Sequence, residues 1–128
     1  MQGGSESILL VEDDAAVRLL AKKVMNRAGY KVFEAFDGEH ALMVYEREKD
    51  NIDLVLLDIM MPKMGGIECL RLLKKRYPDL KVLIASGYSP KLSRTEALEA
   101  GAIEFVAKPY ESREMLDMIR KALDQTEP

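Results

Sequence analysis

Four places in the chain carry groups able to do chemistry: the acidic run Glu12-Asp13-Asp14, the single Asp58, Ser86, and Lys108. Each ends or directly follows a short run of apolar, β-prone residues. Carboxylates crowded together repel one another, and a bound hard dication relieves that repulsion. Mg2+ prefers oxygen ligands in near-octahedral geometry, with one or two carboxylates beside phosphate oxygen. A hydroxyl and an ammonium alongside would then handle an anion. Taken singly, each feature has a plainer reading. Acids after a strand cap helices, a Ser before a Gly makes turns, and a Lys-Pro pair is a common turn. Only convergence raises them above that.

Convergence is for the surrounding elements to supply. Runs at Ser7–Val11, Lys31–Ala35, Leu54–Leu57, Lys81–Ala85 and Glu104–Ala107 alternate with stretches of helical period, the pattern of an α/β chain with a parallel sheet. Most of these runs are almost continuously apolar, as strands covered on both faces should be. Val17, Leu20, Ala21, Val24, Met25 and Ala28 place one apolar stripe on a first helix that Gly29 ends. Ala41, Leu42 and Tyr45 predict a second helix, Ile67, Leu70 and Leu73 a third, and Met115, Met118, Ile119, Ala122 and Leu123 a fifth. The fourth segment, Lys91–Ala100, sets Leu92 and Leu98 among Ser93, Arg94, Thr95 and Glu96 before Gly101 stops it, and poor apolar cover predicts a loosely held element. Right-handed crossovers favour the flavodoxin-like sheet order 2-1-3-4-5 for such a chain, a doubly wound three-layer sandwich. Ligands of open α/β sheets bind beyond the carboxyl ends of the strands. There the first, third, fourth and fifth strands would deliver the acids, Ser86, Lys108 and Pro109 into one shallow pocket.

Composition narrows the rest. A chain of 128 residues, 48% of them hydrophobic, can bury a core without staples. Residues 1–6 read as a flexible leader or expression remnant, 7–124 as one domain, and 125–128 as a tail. The single cysteine, Cys69, permits no internal disulfide, which points to a reducing compartment, the cytoplasm, and to a small buried apolar role. No run approaches the roughly 20 apolar residues of a membrane span, and the start lacks the layout of a signal peptide. A net charge of −3 with dispersed Lys and Arg predicts no nucleic-acid binding by this domain. His40 is expected on an exposed helix face and not as a phosphodonor. Met60, Met61 and Met64 are expected to pack rather than bind copper, and Lys74-Lys75-Arg76 reads as a solvated helix end matched to the dipole. Neither G-x-G-x-x-G nor a P-loop follows any strand, so nucleotide binding has no support.

Ile8-Leu9-Leu10-Val11-Glu12-Asp13-Asp14, the run from Leu54 through Asp58-Ile59-Met60-Met61-Pro62-Lys63-Met64 to Gly65-Gly66, Ala85-Ser86-Gly87-Tyr88, and Phe105-Val106-Ala107-Lys108-Pro109-Tyr110 together resemble the response-regulator receiver (CheY-like) family, in family order and spacing from about Ser7 to Leu123. The resemblance implies a phosphoacceptor domain of a two-component or phosphorelay system, not a conventional enzyme. It makes Asp58 the acceptor of a phosphoryl group from phosphohistidine, with Mg2+ (or Mn2+ in its place) held by Glu12, Asp13, Asp58 and the backbone carbonyl of Met60. Ser86 becomes the switch hydroxyl, Lys108 the lysine that pairs with the phosphoryl oxygens, and Phe105 the switch aromatic, here without a phenol. Met60 and Tyr88 flank the phosphoryl position and would tune its loss, whereas Asp14 caps the first helix. Implied partners are a sensor histidine kinase or histidine phosphotransfer domain, with dimerisation open to the face of the fourth helix, fifth strand and fifth helix. The Ala85-Ser86-Gly87-Tyr88 version resembles receivers at the carboxyl end of hybrid histidine kinases, and a stand-alone regulator is the other context. Two alternatives stand beside this reading. A Mg2+-dependent phosphatase of haloacid-dehalogenase type shares an aspartyl nucleophile, lysine and Ser/Thr, but needs an acid two residues beyond the nucleophile, where this chain has Met60. An unphosphorylated receiver-like interaction module usually loses an acid or the lysine, and none is missing here.

Overall fold

The computed structural model describes residues 3–61, 64–87, 91–108 and 110–125. Its elements run β1 (Ser7–Val11), α1 (Ala15–Arg27), β2 (Lys31–Ala35), α2 (Gly38–Glu48), a short 3-10 turn, β3 (Leu54–Asp58), α3 (Gly66–Arg76), β4 (Val82–Ser86), α4 (Lys91–Glu99), β5 (Glu104–Ala107) and α5 (Ser112–Asp124). The strands form one parallel sheet in the order β2-β1-β3-β4-β5, as the sequence predicts. Alternation along each central strand sorts its side chains to two faces. Leu9, Val11, Val55, Leu57, Val82, Ile84 and Phe105 pack with α2, α3 and Ala97 of α4. Ile8, Leu10, Leu54, Leu56, Leu83, Ala85 and Val106 pack with α1 and α5. This is the doubly wound sandwich.

Local chemistry explains the helix ends. Asp14 caps α1 by accepting from the Ala16 and Val17 amides at 2.9 and 3.1 Å, as expected, and Gly29 ends the helix with φ 101°. Glu111 caps α5 through the amides of Arg113 and Glu114. Lys74 does more than sit in solvent: its ammonium donates to the carbonyls of Pro78 and Leu80 at 2.6 and 2.9 Å, binding the α3 exit to β4.

Several expectations shift. Leu20 leaves the predicted stripe of α1 and is 59% exposed, beside an equally outward Leu19, while Ala21 and Met25 are buried. Leu20 lies about 100° around the helix from Ala21, and spacing alone does not reveal that the buried arc ends between them. β3 and β4 each end one residue later than predicted, because the ladder extends through Asp58↔Ala85 and Ser86↔Ala107. Lys81 drops out of β4 at the other end, its ammonium reaching the Leu123 carbonyl at 2.8 Å. His40 is half-buried rather than displayed: its Nδ1 accepts from the Phe36 amide at 3.0 Å. Cys69 is buried as expected. The tail residues 126–128, Met1, Gln2, Tyr88 and the Leu92 side chain lie outside the described residues. Gly3 and Gly4 are held, through Arg120 to the Gly3 carbonyl and through the Gly4 amide to the Ala28 carbonyl, both at 3.0 Å. Among the described residues no helix is long and apolar enough to cross a membrane.

Candidate functional site: an acid cup at the carboxyl ends of the strands

Parallel pairing carries the expected groups to one end of the sheet. Val11 lies level with Leu57, so the acids that follow β1 stand next to Asp58, the last residue of β3. Ser86 closes β4 one position beyond the partner of Asp58, and the Lys108 amide donates to its carbonyl at 2.9 Å. The start of α3 is pressed against the Asp58 loop: the Gly66 amide donates to the Ile59 carbonyl at 3.0 Å, and a Cβ at Gly66 would collide with the Asp58 carbonyl and lie 2.6 Å from the Ile59 Cα. Gly66 is therefore a requirement of close approach, whereas a Cβ at Gly65 would meet only the Ile59 carbonyl at 3.7 Å, an ordinary contact.

One carboxylate oxygen each from Glu12, Asp13 and Asp58 lies within 4.8 Å of the others. Glu12 and Asp58 are 1% and 2% exposed, and Ser86 is as deeply buried, while Asp13 opens to solvent. Lys108 bridges the two buried acids, its Nζ 2.6 Å from Glu12 Oε1 and 3.4 Å from Asp58 Oδ2. The second Glu12 oxygen accepts from the Asp14 amide at 3.1 Å, and Asp58 Oδ1 has a long contact of 3.4 Å from the Met60 amide. Met60 itself is 64% exposed. Phe105 lies away from the cup, in the core on the side of α2 and α3.

Burial pushes the Asp58 carboxyl above its ordinary range, against the pull of Lys108 and the Met60 amide. Glu12 is raised by burial too, opposed by its hydrogen bond to Lys108 and helped by the charge of Asp58. For Lys108, burial works against the ammonium, but the hydrogen bond to Glu12 and the fields of both acids outweigh it and raise its pKa. The lysine thus does for the acids what a bound cation would do. The donor set suits a hard ion: oxygens only, with neither histidine nor thiolate among the clustered groups. An octahedral ion with metal–oxygen distances of about 2.1 Å sets its ligands about 3 to 4.2 Å apart, so modest closure of the three acids would suffice.

Residues 8–120 match the model of the response regulator receiver domain. The chain belongs to this family. The receiver is 37% identical over 119 residues to sporulation initiation phosphotransferase F of Bacillus subtilis, covering 93% of the chain and 94% of that protein. It is 33% identical to the sensor kinase CckA of Brucella abortus over 95% of the chain, which is 13% of the kinase, and 39% identical to the transcriptional regulatory protein CpxR of Escherichia coli, of which it spans 48%. Among solved structures, the CheX-CheY-BeF3-Mg2+ complex from Borrelia burgdorferi superposes with a TM-score of 0.90 at 28% identity, covering 94% of this chain and 90% of the other.

Two residues of the receiver's cup escape a reading of its motifs. Arg18 donates to the Glu12 carbonyl at 2.7 Å, and no spacing rule announces a side chain of α1 bonding back to the end of β1. Tyr110, quoted only as part of the Lys108-Pro109-Tyr110 motif, has a buried hydroxyl with no hydrogen-bond partner among the described residues. Its phenol is raised by burial and by the charges of Glu12 and Asp58.

Proposed function

We propose that Asp58 of this receiver accepts a phosphoryl group from the phosphohistidine of a sensor kinase or histidine phosphotransfer domain. The observation that carries the reading is the meeting of three carboxylates from two strand ends, with Lys108 joined to both buried members. Asp13, Asp58 and the Met60 carbonyl would hold Mg2+, with Glu12 a direct or water-mediated ligand. When bound, the ion would supply positive charge against the negative charge that develops on the transferred group.

The chain's own groups do the rest. An Asp58 oxygen attacks in line, forming the O–P bond as the P–N bond to the donor histidine breaks. Lys108 restrains Asp58 beforehand and exchanges its contacts with the acids for contacts with the phosphoryl oxygens afterwards. The acyl phosphate adds about one to two negative charges and strong acceptor oxygens, towards which the Ser86 hydroxyl turns. Phe105, three residues before Lys108 on β5, follows that movement and passes it to the face of α4, β5 and α5, where a partner or a second receiver would read it. Such a domain assists its own phosphorylation without turning over a separate substrate. Met60, at the place where a dehalogenase-type phosphatase needs its general acid, has no proton to give. Lack of a disulfide partner for Cys69 favours work in the cytoplasm.

Incubation with acetyl phosphate and MgCl2, read by intact mass, tests the proposal. The expected result is one hydroxylamine-labile phosphoryl adduct on the wild type, absent in Asp58→Asn and absent when EDTA replaces MgCl2. An adduct of equal yield on Asp58→Asn would overturn the assignment. Steady release of phosphate from small esters would favour the phosphatase instead.

A further inference from the structure

Glu12 is tied on both sides of its backbone, to the end of β2 by its amide and to α1 by its carbonyl. Its amide donates to the Ala35 carbonyl at 3.1 Å, and its carbonyl accepts from Arg18 Nη1 at 2.7 Å. That carbonyl belongs to the peptide joining Glu12 to Asp13, so its direction sets the plane from which the Asp13 side chain departs. Arg18 is fixed in turn. Its Nε lies 3.2 Å from Glu34 Oε1, its guanidinium stands 4.3 Å from the centroid of the Phe36 ring, and only 15% of its side chain is exposed. Glu34 is shared with Lys22 at 2.9 Å. Phe36 is braced by the His40 ring at 4.8 Å and by the bond from its amide to His40 Nδ1. A planar fork with several donors can meet a carbonyl, a carboxylate and a ring face together, which a lysine cannot.

We propose that Arg18 is a positioning residue for the acid cup: clamped between Glu34 and Phe36, it holds the Glu12–Asp13 peptide in the orientation that lets Asp13 share a cation with Asp58. The inference rests on the cup being a cation site, as proposed above. Charge alone predicts the opposite effect. A guanidinium near the cup repels a dication, so if Arg18 acted only through its charge, removing it would tighten binding. Glu34 offsets that repulsion, leaving orientation as the dominant influence.

The test titrates MgCl2 into metal-free wild type, Arg18→Ala, Arg18→Lys and Phe36→Leu by calorimetry, and records the Glu12 carbonyl and Asp13 amide resonances before metal is added. Supporting partners of metal ligands are typically worth 10-fold or more in affinity, so Arg18→Ala should bind Mg2+ roughly tenfold more weakly. Arg18→Lys should recover little of the loss, and Phe36→Leu should weaken binding by a smaller factor. The Glu12 carbonyl and Asp13 amide resonances should shift in both Arg18 variants before any metal is present. Binding by Arg18→Ala that equals or exceeds wild type, or full rescue by Arg18→Lys, overturns the proposal. Should Arg18→Ala fail to fold, Arg18→Lys and Phe36→Leu decide it. Failure of the wild type itself to bind Mg2+ would sink the reading of the cup instead, and unchanged metal-free resonances in Arg18→Lys would independently overturn the role of Arg18.

Discussion

The acid cup and helix α4 lie within the same sheet architecture, yet they are held in opposite ways. At the cup, two acids that are 1% and 2% exposed are kept in place by the lysine that follows β5, and backbone and Arg18 contacts fix the chain on either side of Glu12. Along α4, Ala97 is the buried side chain among Arg94–Glu99, and Leu98 is 38% exposed. Its remaining ties include the solvent-facing pairs Arg94–Glu104 at 2.9 Å and Arg71–Glu96 at 3.5 Å. The cup concentrates like charge in a tightly tied place, whereas α4 has thin apolar cover among its described residues. A charge added at Asp58 would change the balance where it is tightest, and α4, thinly covered among its described residues, is the element beside β5 that is expected to yield.

The comparison can be broken most directly at Lys108. Breaking a buried ion pair from one side leaves uncompensated charge, so Lys108→Ala should destabilise the metal-free protein by about 3 kcal/mol. Urea unfolding at pH 7 in EDTA measures it, and added MgCl2 should restore more stability to the variant than to the wild type. Equal stability of variant and wild type would mean that the cup is not under tension.

A pH series tests the same point with a smaller effect. The folded pKa values of Asp58 and Glu12 lie above their ordinary values of 3.8 and 4.5. The folded state therefore holds protons that the unfolded state has released. The contribution of these acids is fully present below those ordinary values and is lost as pH rises through the raised ones, at about 1.4 kcal/mol for each unit of difference. Unfolding free energy in EDTA should accordingly fall across that window. Asp58→Asn should flatten the decline, and so should MgCl2 in the wild type.

At α4 the effects should be slight. Glu104→Gln removes a pair whose side chains are 54% and 33% exposed, and should cost less than about 1 kcal/mol, vanishing in high salt. Hydrogen exchange sharpens the contrast: amides of α4 should exchange well before those of α5, which buries Met115, Leu116, Ile119 and Ala122. Protection of α4 equal to that of α5 would remove the proposed soft element.

Much of this was legible in the residues alone. The apolar strand runs, the helix stripes and the breaks at Gly29 and Gly101 depend on short-range periodicity, which side-chain type writes directly into the chain. Asp14 could be read as a cap because capping is settled within three residues. The acids, Ser86 and Lys108 could be grouped because a parallel sheet brings successive strand ends together.

What only the tertiary structure decided concerns direction and partner. Leu20 satisfies the spacing of the buried stripe but faces water, since a period places a residue on an arc without saying where the neighbouring layer ends. The bridge from Lys108 to Glu12 spans 96 residues, and Arg18 reaches the Glu12 carbonyl where Glu34 of β2 and Phe36 of the turn after it hold it there. Such contacts depend on how separate loops and layers come to rest against one another, which local propensity does not encode.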